Sequence, residues 1–353
     1  MGSLSLGIGT KLIIRGDVGI MDGMKLRPVA IAGLGAYVPE KVLTNADLEK
    51  MVDTSDEWIT TRTGIKERRV ADDSMVTSDL ALAASQRALE DAGITPQDLD
   101  LIVVARVLPD MPFPSTACFL QAKLGAERAA AVDVVAGCTG WVYGTVLAAP
   151  MVASGLYNTV LVVGAELLSR ILDWTDRNTC VLLGDGAGAA VLRPALSGRG
   201  ILSTYLAADG TAADLLTMPG GGSLHPASHE TIDQRLHYFK MQGRETFKRA
   251  GAIMVDACLR VLEKAGVSLE DVDLLVPHQA NLRIIQSMVK RLEIPEEKVM
   301  INIHRYGNIS AASIPVALTE ARQAGRLKDG DLVLVVSFGT GLTWGAMLIK
   351  WGK

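Results

Sequence analysis

Short, unbroken apolar runs alternate along this chain with longer stretches of helical spacing, and the alternation predicts an α/β protein. Ile102-Val103-Val104 and Leu274-Leu275-Val276 are continuous apolar runs, as expected for strands covered on both faces. Ala130-Ala131-Val132-Asp133-Val134-Val135 is a third strand-like run. Residues 77–92 carry helical apolar spacing, a Thr77/Ser78 cap signal and a stop at Gly93. A helix is predicted after Cys138 through Leu147-Ala148-Ala149, stopped near Ser154-Gly155, and another from Ala311 to Ala324, stopped at Gly325. Gly220-Gly221-Gly222-Ser223 opens a polar stretch with His225, His229 and His237 that reads as a surface loop or lid.

The pattern repeats itself. Leu89 to Val103 aligns without gaps on Leu262 to Val276, an offset of 173 residues, with 8 of 15 pairs identical. The same offset superposes Val160-Leu161-Val162-Val163 on Val333-Leu334-Val335-Val336. Two matches at one offset indicate duplicated α/β halves with pseudo-twofold symmetry and an active site between them. In this alignment Cys138 and Asn308 are 170 apart, which a three-residue difference in the loop after each helix reconciles with 173. The two residues are thereby expected on equivalent strand-to-helix elbows.

Composition narrows the class. The 353 residues are 49% hydrophobic and 21% charged, enough for two packed halves and too apolar for disorder. A formal net charge of -4 excludes a general nucleic-acid binder. Cys118, Cys138, Cys180 and Cys258 have no CxxC spacing and read as reduced thiols of a cytoplasmic protein, not as a disulfide frame or metal site. The start lacks a basic segment followed by an apolar stretch, Leu6 breaks a myristoylation pattern, and no run reaches the length of a membrane span. Residues 1–23 read as an extension outside the fold.

Three turns carry the chemistry. Cys138 sits between glycines in Ala136-Gly137-Cys138-Thr139-Gly140, at a predicted helix N-terminus where backbone N–H groups and the helix dipole favour thiolate. His278 follows an apolar run in Pro277-His278-Gln279-Ala280-Asn281, and Asn308 lies in Tyr306-Gly307-Asn308-Ile309-Ser310. Singly, each has a bland reading: a small buried hydrophobe, a structural histidine, a turn residue. Together they suit acyl transfer through a thioester, with two nitrogen side chains able to bind an oxyanion. Cys118, Cys180 and Cys258 lie in apolar contexts and keep the bland reading. Gly184-Asp185-Gly186-Ala187-Gly188 lacks the acidic residue of a dinucleotide site and reads as a backbone turn near the active site. His225 and His229 are four apart, but their Gly/Pro/Ser surroundings favour a loop over a metal site.

With these motifs, and with Thr54-Ser55-Asp56-Glu57-Trp58 through Ile65, Gly184-Asp185-Gly186-Ala187-Gly188-Ala189 and Ser337-Phe338-Gly339-Thr340-Gly341 through Gly345, the chain resembles β-ketoacyl-acyl carrier protein synthase III of the thiolase-like superfamily. The match runs from about Met24 to the end. It implies a layered αβαβα thiolase-like fold, with halves at residues 24–197 and 198–353. It also implies a homodimer that initiates fatty acid synthesis by condensing a short acyl-CoA with malonyl-acyl carrier protein, without metal or redox cofactor. By resemblance Cys138 is the acylated nucleophile, and His278 with Asn308 binds the malonyl thioester. Backbone N–H groups of Cys138 and Thr340 form the oxyanion hole. Trp58 and Arg177 sandwich the CoA adenine, and Arg62 and Asn281 add CoA contacts. Leu168, Leu183 and Phe338 belong to the acyl pocket, which Phe113 closes from across a dimer interface. Lys248, Arg249, Arg283, Lys290 and Arg291 correspond to the patch that receives the acidic carrier protein; an ordinary solvated helix face is the competing reading.

Thr340 stands where the family often has glycine, so the oxyanion role requires backbone angles that suit a β-carbon. Leu183 stands where some members carry a larger aromatic, which implies a roomier pocket. A thiolase needs a second cysteine near the C-terminus, and the last one here is Cys258. Elongating condensing enzymes carry a second histidine where Asn308 stands. A starter condensing enzyme of a specialised-metabolite pathway shares the trio, and a catalytically silent CoA-binding subunit is the rival from a different class.

Overall fold

The computed structural model describes residues 26–352, so the extension expected at residues 1–23 lies outside the described residues. The first sheet contains β1 (Val29–Tyr37), β2 (Leu101–Ala105), β3 (Ala130–Val134), β4 (Val160–Leu167) and β5 (Asp185–Pro194), in the order β1-β5-β4-β2-β3. The second contains β6 (Gly200–Ala208), β7 (Leu274–Pro277), β8 (Leu332–Gly339) and β9 (Thr343–Lys350), in the order β6-β9-β8-β7. The two orders superpose, and so do the directions. β2 and β4 run parallel like β7 and β8, while β5 and β9 lie antiparallel to their neighbours on both sides. Even β3 has a trace of a counterpart, a parallel bridge from Leu275 to Val299.

Seven helices are needed to follow the site: α1 (Asp56–Thr63), α2 (Thr77–Ala92), α3 (Thr116–Leu124), α4 (Gly140–Ala153), α5 (Gly243–Ala265), α6 (Leu282–Leu292) and α7 (Ser313–Gln323). Period-two burial sorts them into layers. Ile102, Val104, Leu161 and Val163 face outward onto Leu80, Ala84 and Leu120 of α2 and α3. Val103 and Val162 face inward, onto Trp141 and Val142 of α4 and Ile314 and Leu318 of α7, with Val276 and Val335 of the second sheet on the far side. Leu275, Leu334 and Leu348 cover Met254, Cys258 and Met288 of α5 and α6. The result is the expected αβαβα stack.

The repeat holds at its junctions. α2 ends on Gly93 at φ 67° and α5 on Gly266 at φ 65°, left-handed positions where glycine has no side chain to clash. Their N-terminal expectation needs correction. Thr77 and Ser78 lie inside α2 and are buried, and the half-buried carboxylate of Asp79 accepts the Val76 N–H instead. Thr77 donates to the Leu108 carbonyl and Ser78 to Asp110, so both hydroxyls anchor the loop after β2.

Two further expectations change. Gly184-Asp185-Gly186-Ala187-Gly188 is no turn: it leads into β5, a central strand paired on both edges. Its glycines alternate to make room, since a Cβ at Gly188 would sit 2.7 Å from Pro315 Cγ and 2.9 Å from the Val316 nitrogen of α7. The elbows are also not related as the loop count implied. The turn Gly137–Thr139 before α4 corresponds, 173 residues on, to Ser310–Ala312 before α7, with positive φ at Gly137 (52°) and at Ser310 (45°). The structural counterpart of Cys138 is Ala311. Asn308 precedes its elbow: the offset is 173 before, at and after the turn, so no three-residue difference exists and the position equivalent to Asn308 is Val135.

Gly188→Ala tests this packing. The added methyl must displace α7 backbone, so urea unfolding should show a loss of about 1–3 kcal/mol. Unchanged stability would mean that α7 does not pack rigidly on β5.

Candidate active site

Cys138, His278 and Asn308 line one cavity of about 890 Å³ between the halves, together with Gly339 and Thr340. Each arrives on a different element. Cys138 sits in the tight turn Gly137–Thr139 that feeds directly into α4. His278 follows β7, and its backbone N–H donates to the Val336 carbonyl at 2.8 Å. Asn308 is held by a strand-like bridge to Leu183, with its N–H on the Leu182 carbonyl at 2.8 Å.

The second half clamps the Cys138 turn. Ser337 Oγ donates to the Cys138 carbonyl at 2.9 Å, Thr343 Oγ1 to the Ala136 carbonyl at 2.9 Å, and Thr139 Oγ1 to the Thr343 carbonyl at 3.1 Å. The two backbones meet through glycines. A Cβ at Gly339 would lie 2.6 Å from the Cys138 nitrogen, and one at Gly137 would lie 2.8 Å from the Thr340 nitrogen. Thr340 itself is not among the described residues at positive φ, so its β-carbon costs nothing there.

The dyad is oriented by its neighbours. Asn308 Oδ1 accepts the Ser310 N–H at 2.8 Å, which turns the amide NH₂ toward donating. His278 Nδ1 meets Ser313 Oγ at 2.7 Å, while Nε2 is buried and without a partner. Burial holds His278 far below the ordinary imidazole range, at about 3, so the ring is neutral at working pH. Burial pushes the Cys138 thiol up to about 12; Ser310 pulls against this and Glu166 adds to it. The expected thiolate preference of the α4 N-terminus therefore works against desolvation.

Glu166 is the residue that motif reading missed. It is fully buried at the end of β4 and accepts the Val107 N–H at 2.9 Å and the Ala311 N–H at 3.3 Å. Burial raises its carboxyl from 4.5 to about 7. Ser310 Oγ lies near both this carboxyl and the Cys138 thiol, in well-formed bonding geometry with neither. The sequence signal was a carboxylate inside the apolar run Val160–Leu168.

The remaining expected residues divide. Leu168, Leu183 and Phe338 are buried and line the cavity, joined by Val107 and Ile171. Trp58 and Arg62 line its mouth, as does Asn281, which also caps α6 and donates to the Arg62 carbonyl at 3.1 Å. Arg177 stacks directly on Trp58 at 5.1 Å from the ring centroid, its Nη1 donating to the Asp53 carbonyl. An inserted base needs two van der Waals gaps, about 7 Å in all, so this slot is closed and Arg177 must move to admit one. Phe113 is 83% exposed and outside its own chain's cavity.

Of the basic residues, Lys248 and Arg283 line the mouth, with Arg244 beside them. Arg249 is paired with Asp209 and Glu245. Lys290 and Arg291 occupy the last turn of α6, about 10 Å of helix away from Arg283 and Ile284 at the mouth, where they complement the helix dipole. Cys180 and Cys258 are buried, whereas Cys118 is exposed on α3 and not in the apolar setting expected. His225 lies in an irregular segment and His229 opens the five-residue helix His229–Asp233. Among the described residues no cluster could hold a metal ion, and no helix is long and apolar enough to cross a membrane.

Two models of 3-oxoacyl-[acyl-carrier-protein] synthase III match the chain, one over residues 132–210 and the C-terminal one over residues 262–351. The chain is 59% identical over 323 residues to the β-ketoacyl-[acyl-carrier-protein] synthase III of Caldanaerobacter subterraneus subsp. tengcongensis, covering 92% of this chain and 98% of the relative. The crystal structure of the synthase III of Thermus thermophilus is similar at 50% identity and a TM-score of 0.86, covering 92% of this chain and 99% of that one. A priming β-ketosynthase from the R1128 polyketide pathway is similar at 34% identity and a TM-score of 0.85, covering 92% and 97%.

The buried carboxylate makes a pH-dependent prediction. Because the folded-state value of Glu166 is raised from 4.5 to about 7, its contribution to stability is fully present below 4.5 and is lost as pH rises through 7. Glu166→Gln removes that loss. Urea unfolding should show the variant gaining relative to the parent between pH 5 and pH 7.5. A pH-independent difference would mean that Glu166 does not titrate in this window.

Proposed function

The chain belongs to the β-ketoacyl-[acyl-carrier-protein] synthase III family, and from that membership we propose that it initiates fatty acid synthesis as a condensing acyltransferase working through Cys138. The observation that carries this reading is the convergence of Cys138, His278 and Asn308 on one cavity, with the imidazole neutral and its Nε2 unpaired.

The Cys138 sulfur attacks the thioester carbonyl of a short acyl-CoA. Its proton leaves with the CoA thiol, and the acyl group is left on Cys138. Backbone N–H groups of Cys138 and Thr340 hold the oxyanion of this step. Malonyl-acyl carrier protein then enters. Its carboxylate C–C bond breaks to release CO₂, and the electron pair passes to the malonyl thioester as an enolate. A neutral histidine and an asparagine cannot supply a full positive charge, but each presents a fixed N–H donor to the enolate oxygen. The carbanion attacks the acyl carbonyl, the C–S bond breaks, and Cys138 takes up a proton as 3-oxoacyl-carrier protein leaves. Every step is acyl transfer or C–C bond chemistry and uses no metal or redox cofactor. The intact trio favours an active enzyme over a silent CoA-binding subunit.

Substrate contacts follow the cavity. Leu168, Leu183 and Phe338 form the acyl end, and Trp58, Arg62, Arg177 and Asn281 the CoA end. We assign the acidic carrier protein to Lys248, Arg283 and Arg244 at the mouth, with Arg249 beside them and Lys290 and Arg291 as distant steering charges. A homodimer is supported by β3, a sheet edge on which Val132 is 46% exposed, by Val135 just beyond it at 67%, and by the outward Phe113, which we assign to the partner's acyl pocket. The halves are divided near residue 197, between β5 and β6. We place the enzyme in the cytoplasm.

Asn308→Ala separates the half-reactions. The variant should still take an acetyl group from acetyl-CoA, read by intact mass, and should lose about a hundred- to thousandfold in malonyl decarboxylation, read by CO₂ release. A variant that fails to acylate yet still decarboxylates would overturn the role given to Asn308.

A further inference from the structure

Buried hydroxyls on the helices of this chain commonly turn back on their own backbone. Thr63, Ser85, Thr246 and Thr319 each donate to the carbonyl four residues earlier, at 2.6 to 3.0 Å. Ser313, the first residue of α7 and only 1% exposed, does not. Its Oγ meets His278 Nδ1 at 2.7 Å and has no other hydrogen-bond partner among the described residues. The imidazole is equally committed. Phe338 packs against it edge-on at 6.0 Å, no charged side chain pairs with it, and Nε2 faces the cavity without a partner.

A neutral imidazole carries one N–H and one lone pair, so the Ser313 contact can be made in two ways. If Nδ1–H donated to Ser313, the buried hydroxyl hydrogen would have no acceptor and Nε2 would face the cavity as a lone pair. If Ser313 O–H donates to Nδ1, the hydroxyl hydrogen is satisfied, and the unmet group is an Nε2–H aimed into the cavity. The first arrangement leaves two unmet groups, the hydroxyl hydrogen and the Nε2 lone pair, whereas the second leaves one, an Nε2–H on the cavity wall where a substrate oxygen can accept it. We infer that Ser313 is a positioning residue that selects the Nε2–H tautomer of His278 and so makes the ring a hydrogen-bond donor toward the malonyl thioester. Ser313 touches no substrate; it acts through the imidazole. The inference rests on the role proposed for His278, but the tautomer can be read without any reaction.

The test uses the full chain labelled with ¹⁵N-histidine. The sequence holds five histidines, and loss of a signal in His278→Gln identifies the one of interest. The parent should show a pyrrole-type Nε2 and a pyridine-type Nδ1 at neutral pH. Ser313→Ala should give an averaged or reversed pattern. Its malonyl decarboxylation should fall about tenfold or more, and further than acyl transfer from acetyl-CoA, a loss of the size seen for orienting partners of other imidazoles. Ser313→Thr keeps the hydroxyl and should restore both spectrum and rate, which separates positioning from damage to the fold. A parent ring protonated on Nδ1 overturns the inference, as does a folded Ser313→Ala variant with unchanged spectrum and decarboxylation. An Nε2-protonated ring in a protein that does not decarboxylate malonyl thioesters would fault the proposed reaction and leave the tautomer assignment standing.

Discussion

The site depends on how closely one backbone can approach another. The end of β8 passes so near the nucleophile turn that a single methyl on Gly339 would fall 2.6 Å from the Cys138 nitrogen and 2.9 Å from the Thr139 nitrogen. Gly137 concedes the same space from the other side, next to Thr340. Once the backbones are this close, Ser337, Thr343 and Thr139 can stitch them together with hydrogen bonds to carbonyls. The N–H groups of Cys138 and Thr340 then lie beside a cavity that reaches the solvent. Larger residues at either glycine would separate the halves at the point where the proposed oxyanion site lies.

The duplication explains why this happens only once. Under the 173-residue repeat the counterpart of Gly339 is Glu166, and the counterpart of Cys138 is Ala311. At both places a strand end meets the elbow of the opposite half. Where Gly339 has no side chain, the Cys138 N–H is left for a ligand. Where Glu166 stands, its carboxylate accepts the Ala311 N–H and fills the equivalent space. The second elbow has its N–H occupied and instead meets the proposed site through Ser313, which contacts His278, and Ser310, which holds the preceding Asn308. Symmetry of fold thus supports asymmetry of chemistry. Keeping Glu166 neutral or charged beside Cys138 is the electrostatic cost of that arrangement.

Much of this was legible in the chain. The repeat of Leu89 to Val103 on Leu262 to Val276 located matching helix ends, turns and strands, because glycine stops and apolar runs are local signals. The trio was legible because each member sits in a distinctive turn. What local pattern could not reveal were the uses of space and partners. Alternating glycines read as a turn, yet they serve α7 packing on a central strand. Thr77 and Ser78 read as caps, yet their hydroxyls serve a distant loop. The elbow register was missed because Cys138 and Asn308 were set equivalent by residue chemistry, whereas the constant offset of 173 pairs Cys138 with Ala311 and leaves Asn308 opposite Val135.

Gly339 is where the two backbones come closest to the Cys138 turn. Its α-carbon position is compatible with an extra methyl only if the strand end withdraws from Cys138, so Gly339→Ala should widen the oxyanion site without touching any catalytic side chain. Acetyl transfer from acetyl-CoA to Cys138, followed by time-resolved intact mass on protein that retains cooperative unfolding, reads this step alone. The predicted result is a folded protein whose acylation is slower by about a hundred- to thousandfold. Acylation at the parent rate in a folded Gly339→Ala protein would contradict the claim that this backbone contact builds the site.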